Sequence, residues 1–190
     1  MATSNSSCSD WQHYTLDITS RPPENSADPF IALVSVFTPV TTAAQEISPQ
    51  ELREQIAKLP TQKVVDIAHR LLETPLAGNE ETVKQYSALI IMWLTDTDDM
   101  TLSINVSPVL VSNANILSAY MAAEIINTAS RGLTQNNEAT YIASMNDVLK
   151  YYKDNKGAIG NISELDKLSK LKPEKLDKKL SELYAKSQKH

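Results

Sequence analysis

The scarcity of glycine is the feature that most constrains how this chain can fold. Only four of its 190 residues are glycine, and glycine is plentiful in the turns of all-β proteins but costly inside helices. The segments between prolines and glycines carry apolar residues at helical spacing, and the connections between them are mostly short. The sequence therefore predicts an all-α protein, an irregular antiparallel bundle of about seven helices.

Capping signals mark where several of these helices begin. The clearest is Ser48-Pro49-Gln50-Glu51, in which Ser48 and Glu51 form a capping box and a proline occupies the first helical position. Three later helices are predicted to be capped by Thr61, Asn79 and Asn137. The predicted helix ends lie at Pro60, Pro75 with Gly78, Gly132, and Gly157 with Gly160.

The helix that Asn79 is predicted to cap contains a run, Ala88–Leu94, that is apolar on every side. A helix on the surface of a bundle needs only one apolar stripe. We therefore expect this helix to lie in the middle of the bundle.

Composition divides the chain into three parts. Residues 1–27 are polar and rich in Ser and Asn, and they are predicted to form an extended N-terminal arm. Residues 28–160 are predicted to form a helical core domain, within which residues 30–40 fit both a helix and a β-branched strand. Residues 161–190 are predicted to be Lys-rich C-terminal helices, packed on the core or appended to it.

Charge is also split along the chain. Residues 1–149 carry seven Lys and Arg against seventeen Asp and Glu, whereas residues 150–190 carry eleven Lys against six acids. The basic end has no Arg, a residue that nucleic-acid-binding surfaces commonly use, so nucleic-acid binding is not predicted. The pattern favours docking of the basic end on an acidic surface of the same chain or of a neighbour. Many of its Lys residues follow an acid at favourable helical spacing, as in Asp166 with Lys170, Glu174 with Lys178, and Glu182 with Lys186.

A nearly uncharged polar stripe is predicted on the helix that precedes Gly132. Helical spacing aligns Tyr120, Glu124, Asn127 and Arg131 with Asn113 at the start of the stripe. Any exposed helix shows a polar stripe. Aromatic, Asn and Arg side chains, however, also suit recognition of a peptide or small ligand without the cost of burying Lys or Asp. We therefore predict that Tyr120, Glu124, Asn127 and Arg131 bind a partner.

No catalytic motif stands out. The sequence has no nucleophile beside a base and no glycine-rich phosphate loop. The three histidines, His13, His69 and His190, lack the spacing of a zinc site. Neither a cofactor nor a metal site is predicted, and an enzyme is not favoured.

Two groups of residues keep other functions open. Asp96, Asp98 and Asp99 form the densest carboxylate group, but their loop lacks the Gly and the Glu of an EF-hand. Glu124 with Tyr120 could act as a general acid and base if the carboxyl were buried. Either group would suit a small-molecule-binding or metal-binding helical bundle, which could be an enzyme.

The sequence favours a non-enzymatic helical module that interacts with or regulates a protein partner. A structural subunit of a homo-oligomer is a further alternative. No membrane span is predicted, because the longest charge-free window, Met100–Ala123, contains Pro108 and several Asn and Ser residues. No signal peptide is visible, so a cytoplasmic location is the default expectation.

Overall fold

Seven α-helices and no β-strand make up the described part of the chain. In this computed structural model that part comprises residues 48–103, 110 and 113–188. The prediction of an all-α bundle is confirmed. The predicted N-terminal arm, residues 1–27, and the ambiguous segment 30–40 lie outside the described residues.

The helices belong to one compact unit of the chain, Ile47–His190. In chain order they are α1 (Pro49–Ala57), α2 (Thr61–Glu73), α3 (Glu80–Asp96), α4 (Ala114–Ala129), α5 (Glu138–Ile159), α6 (Ser163–Leu168) and α7 (Pro173–Ser187). None of these helices is long and apolar enough to cross a membrane.

Helix α4 lies at the centre of the described bundle, between α2 and α5. Small side chains such as Ala122 and Ala123, both fully buried, let neighbouring helices approach it from two sides. The expectation that α3 would be central was wrong. Ala88, Ile91 and Met92 of α3 remain half-exposed among the described residues, since α3 contacts mainly α1 and α2.

Two capping boxes are present, the predicted one at Ser48 and one at Asn137, which was predicted only as a cap. The Ser48 amide donates to Glu51 Oε2 at 2.8 Å, and the Glu51 amide donates to Ser48 Oγ at 3.2 Å. At the start of α5, Asn137 and Thr140 form the same reciprocal pair. Such pairs satisfy amides that have no partner within the helix, so they fix where α1 and α5 begin.

Two other predicted caps differ in detail. Thr61 is the first helical residue of α2, and Pro60 holds the N-cap position. Asn79 is the N-cap residue of α3, but its side-chain amide donates to the Pro75 carbonyl at 3.0 Å instead of capping the helix. The Thr61 hydroxyl donates to Asp99. In both cases, therefore, the side chain bonds to a partner other than the start of its own helix.

A buried hydrogen bond joins α3 to the connection between α1 and α2. The Trp93 indole N–H donates to the Leu59 carbonyl at 3.0 Å, and both residues are buried, Trp93 completely. A buried carbonyl left unpaired would cost free energy. This bond therefore holds the turn before Pro60 against the core.

The C-terminal helices are held to α5 by Tyr152 and Lys156. The Tyr152 hydroxyl accepts from the Ile162 amide at 2.8 Å and donates to Asp166 Oδ1 at 3.0 Å. The Lys156 ammonium forms an ion pair with the same carboxylate. Lys156 lowers the pKa of Asp166 through this hydrogen bond, and Asp166 raises that of Lys156.

The three i, i+4 ion pairs expected near the C-terminus do not form in the described structure. Asp166 binds Lys156 instead of Lys170, because α6 ends at Leu168 and the expected pair does not share a helix. Within α7, Lys179 pairs with Glu182 at 3.5 Å. Exposed pairs of this kind gain little free energy, so their partners are easily exchanged.

Candidate functional site

The stripe on α4 that was predicted to bind a partner is divided between the core and the surface. Tyr120 is 2% exposed and Glu124 is 0% exposed, whereas Asn127 is half-buried and Arg131 is exposed. The expectation of a continuous exposed face was therefore wrong for Tyr120 and Glu124. The reason is that α5 packs against this side of α4. Partner binding by the exposed end of the stripe stays a prediction.

Glu124 is a buried carboxyl group with no cationic partner among the described residues. The Tyr120 hydroxyl donates to Glu124 Oε1 at 2.8 Å, but Oε2 has no hydrogen-bond partner there. Burial raises the pKa of Glu124, because an ionised carboxylate loses its hydration in the core. Nearby polar groups, first Tyr120 and then Thr140, oppose this rise by favouring the carboxylate.

Tyrosines close the site toward α7. Burial, followed by the nearby charge of Glu124, raises the pKa of Tyr120. The Tyr141 ring meets Tyr120 edge-on, with centroids 6.2 Å apart, and lies 5.4 Å from the ring of Tyr184. Burial raises the pKa of Tyr141 to about 12. Tyr120 and Tyr141 therefore stay neutral at physiological pH.

Asn127 links the buried and exposed parts of the stripe. Its side-chain amide donates to Ser144 Oγ at 3.3 Å and to Asp147 Oδ2 at 2.9 Å, both on α5. Arg131 donates to the Asn127 carbonyl at 2.8 Å and to its side-chain oxygen at 3.2 Å. The Arg131 guanidinium is thus turned back onto its own helix.

Sequence reasoning missed the α5 residues that meet this stripe. Thr140 and Ser144 are fully buried, and Asp147 is half-buried. Their spacing of four and then three residues places them on one face of a helix. That second polar stripe was the available signal that two polar faces would pack together.

The buried pair of Tyr120 and Glu124 has no access to a substrate in the conformation described. A carboxyl and a phenol in hydrogen-bond contact are suitable for proton transfer. However, Glu124 lines neither of the two cavities described below. The carboxyl is 0% exposed, so a substrate does not contact it in the conformation described.

An open groove of about 1010 Å³ lies between α1 and the end of α3. We call it the α1/α3 groove. Arg53 crosses it, donating to Asp96 Oδ2 at 3.2 Å. Its charged lining residues are Arg53, Glu54, Lys58, Asp96, Asp98 and Asp99.

The Asp96–Asp99 loop forms one side of this groove, but its carboxylates take separate partners. Asp96 pairs with Arg53, and Asp99 accepts from the Thr61 hydroxyl at 3.2 Å. In the part of the chain that the structure describes, no three His, Cys, Asp or Glu side chains are grouped so that they could hold a metal ion. The loop geometry therefore gives no support to a metal site here.

A second cavity, of about 440 Å³, lies between the end of α2 and the middle of α5. We call it the α2/α5 cavity. His69 and Glu73 line it from α2, and Asp147, Lys150 and Asp154 line it from α5. No sequence prediction singled out this group, since its members are far apart in the chain.

No protein-family model, no curated protein and no solved structure matches this chain. The arrangement of the described residues is therefore what supports a function.

Proposed function

We propose that this chain is a non-enzymatic helical module that binds a basic segment of a partner protein in the α1/α3 groove. The observation that carries the proposal is the groove itself, with its volume of about 1010 Å³ and its open, charged lining. Pockets for small molecules are typically about 300–1,000 Å³ and mainly apolar. This groove is at the upper end of that size range and is lined mainly by polar and charged residues.

Charge indicates the kind of partner. Four acids and two bases line the groove, which gives it a net charge of −2. Asp98 is exposed and takes part in none of the ion pairs among the described residues. A partner segment with Lys or Arg side chains would complement this rim and associate faster at low salt.

Exposure argues against catalysis in the groove. Catalytic carboxylates are usually desolvated, which shifts their pKa values toward the pH at which they act. Arg53, Glu54, Lys58 and Asp98 are all exposed. Exposed charges of both signs are typical of the polar rim of a protein interface.

The exposed end of the α4 stripe is the competing location for the same function. Asn127 and Arg131 were predicted from the sequence to contact a partner, and both retain accessible surface. The Arg131 guanidinium is already bonded to Asn127. The α1/α3 groove has a free carboxylate at Asp98 and is the stronger candidate.

Binding measurements with charge-reversed proteins test the proposal. A partner is first captured from the native source, identified by mass spectrometry and purified, and its Kd is then measured by calorimetry. Asp98→Lys should weaken binding about tenfold, because it replaces attraction with repulsion at the rim. Glu164→Lys is the matched control, since it makes the same charge change at an exposed position on α6.

Two results would overturn the proposal. Equal Kd values for Asp98→Lys and Glu164→Lys would exclude the α1/α3 groove as the interface. Weakened binding by Arg131→Ala alone would place the interface on the α4 stripe instead.

A further inference from the structure

Three tyrosines from three helices connect the buried Glu124 carboxyl to an outer helix. The Tyr120 hydroxyl donates to Glu124 Oε1 at 2.8 Å, and the Tyr120 ring meets that of Tyr141 on α5 with centroids 6.2 Å apart. The Tyr141 ring in turn lies 5.4 Å from that of Tyr184 on α7. Tyr120 and Tyr141 are buried, whereas Tyr184 is partly exposed. A series of contacts therefore runs from the carboxyl on α4, across α5, to α7.

The surroundings of Glu124 favour a protonated carboxyl. Its side chain is 0% exposed, and Oε2 has no hydrogen-bond partner among the described residues. The Thr128 hydroxyl, one turn further along α4, is also buried there without a partner. An ionised carboxylate in such a place has lost its hydration and has no cation to compensate for it. Any movement that lets water reach this carboxyl therefore favours its ionised form.

The helices that pack on α4 are α2, α3 and α5. Their charged side chains and His69 are exposed, apart from the half-buried Asp147 and Lys156, which bond to Asn127 and Asp166. Their buried titratable side chains are tyrosines: Tyr86 on α3, and Tyr141, Tyr151 and Tyr152 on α5. Glu138, in the first turn of α5, accepts a hydrogen bond from Ser181 of α7. Two acids outside α7 are thus connected to it, Glu138 directly and Glu124 through the tyrosines.

Helix α7 can open without α6. It packs mainly on α5, and its buried residues are Leu176 and Leu180. Helix α6 is held to α5 separately, because the Tyr152 hydroxyl donates to Asp166 at 3.0 Å. Residues 169–172, which join the two helices, can therefore act as a hinge. Terminal helices with few buried contacts commonly open locally before the rest of a protein unfolds.

We propose that α7 is a pH-sensitive lid that opens as the Glu124 carboxyl ionises. In the closed form the carboxyl holds its proton and accepts from Tyr120. Opening at residues 169–172 uncovers Tyr141 and lets water reach the carboxyl, which releases its proton to solvent. Burial raises the pKa of Glu124 in the closed form, whereas the hydrated carboxyl of the open form ionises near its ordinary value. Between these two pKa values, the equilibrium constant for opening rises about tenfold per pH unit.

Hydrogen–deuterium exchange of the full chain from about pH 5 to pH 9 tests this proposal. Protection factors, which correct for the intrinsic pH dependence of exchange, should fall in α7 of the wild-type protein by about tenfold per pH unit until the closed carboxyl has ionised. They should stay level in Glu124→Gln. Tyr120→Phe removes a donor that favours the carboxylate, so it should move the end of the fall to higher pH. Glu138→Gln is the matched control, since it neutralises the acid bonded to Ser181 and should keep the wild-type slope.

Several results would overturn the proposal. Wild-type protection factors in α7 that do not change with pH would show that its opening does not hydrate Glu124, and this measurement needs no variant. An equal fall in Glu124→Gln, or the loss of the fall in Glu138→Gln, would assign the effect to another group. Equal protection of α7 and α4 amides at every pH would show that α7 opens only when the whole bundle unfolds. If Glu124→Gln does not fold, an unchanged profile in Tyr120→Phe excludes the carboxyl instead.

Discussion

Replacing Glu124 with Gln should change how the stability of this protein depends on pH. The carboxyl is fully buried, with one oxygen bonded to Tyr120 and no cation among the described residues to pair with it. Gln keeps the size of the side chain and an oxygen that can accept from Tyr120, but it cannot ionise. The difference in unfolding free energy between wild type and Glu124→Gln therefore isolates the titration of this one group.

The sign of the effect follows from the direction of the pKa shift. Burial raises the pKa of Glu124 in the folded protein above its ordinary value of 4.5. Below that value both states hold the proton, and the stability that the protonated group contributes is fully present. As pH rises further, the unfolded chain releases its proton while the fold retains it. Wild type then loses stability relative to Glu124→Gln by about 1.4 kcal/mol per pH unit. The loss ends once the folded carboxyl has itself ionised.

Urea unfolding followed by circular dichroism at a series of pH values measures this difference. Glu54→Gln is the matched control, because Glu54 is exposed on α1. It makes the same chemical change outside the core, so it reports any effect of the substitution that does not depend on burial. A wild-type curve that runs parallel to that of Glu124→Gln from pH 4 to 9 would refute the reasoning. In that case the carboxyl would be as well solvated in the fold as in the unfolded chain.

Two further substitutions test the packing and the backbone. Gly132→Ala should destabilise the protein by about 1–2 kcal/mol, because Gly132 has a φ of 64°. Gly157→Ala, inside α5, should stabilise it by about 0.5–1 kcal/mol. Equal changes in the melting temperature of the two variants would contradict this. Trp93→Phe should cost about 1–3 kcal/mol for the unpaired Leu59 carbonyl, in addition to the lost volume. A melting temperature within 1–2 °C of wild type, roughly the shift expected for less than 1 kcal/mol, would show that the indole bond is unimportant.

The local features of this fold could be predicted from sequence because their causes are local. The capping box of Ser48 and Glu51 needs only residues three apart, and the stop at Gly132 needs only one residue with a positive φ. Both were predicted and are present. Asn137 was predicted as a cap for the same reason and forms one with Thr140.

The environment of Glu124 could not be predicted in the same way. A polar stripe shows which face of a helix is polar, but whether water or another helix covers that face depends on tertiary packing. Here Thr140 and Ser144 of α5 form a second polar face against the first. The two cavities were missed for a related reason, since each joins side chains from helices that are distant in the chain.

The Tyr152 hydroxyl limits how far the chain can be shortened. It holds the Ile162 amide and Asp166 on the far side of Gly160, and Leu165 and Leu180 beyond it are 0% exposed. A chain ending at Gly160 would leave the Tyr152 hydroxyl without either partner. It would also expose to water the apolar surface of α5 that α6 and α7 now cover. Newly exposed apolar surface of this kind promotes aggregation. The C-terminal helices are therefore kept in place by burial and by the contacts of Tyr152 and Lys156, and removing them should yield a protein that self-associates instead of a smaller soluble one.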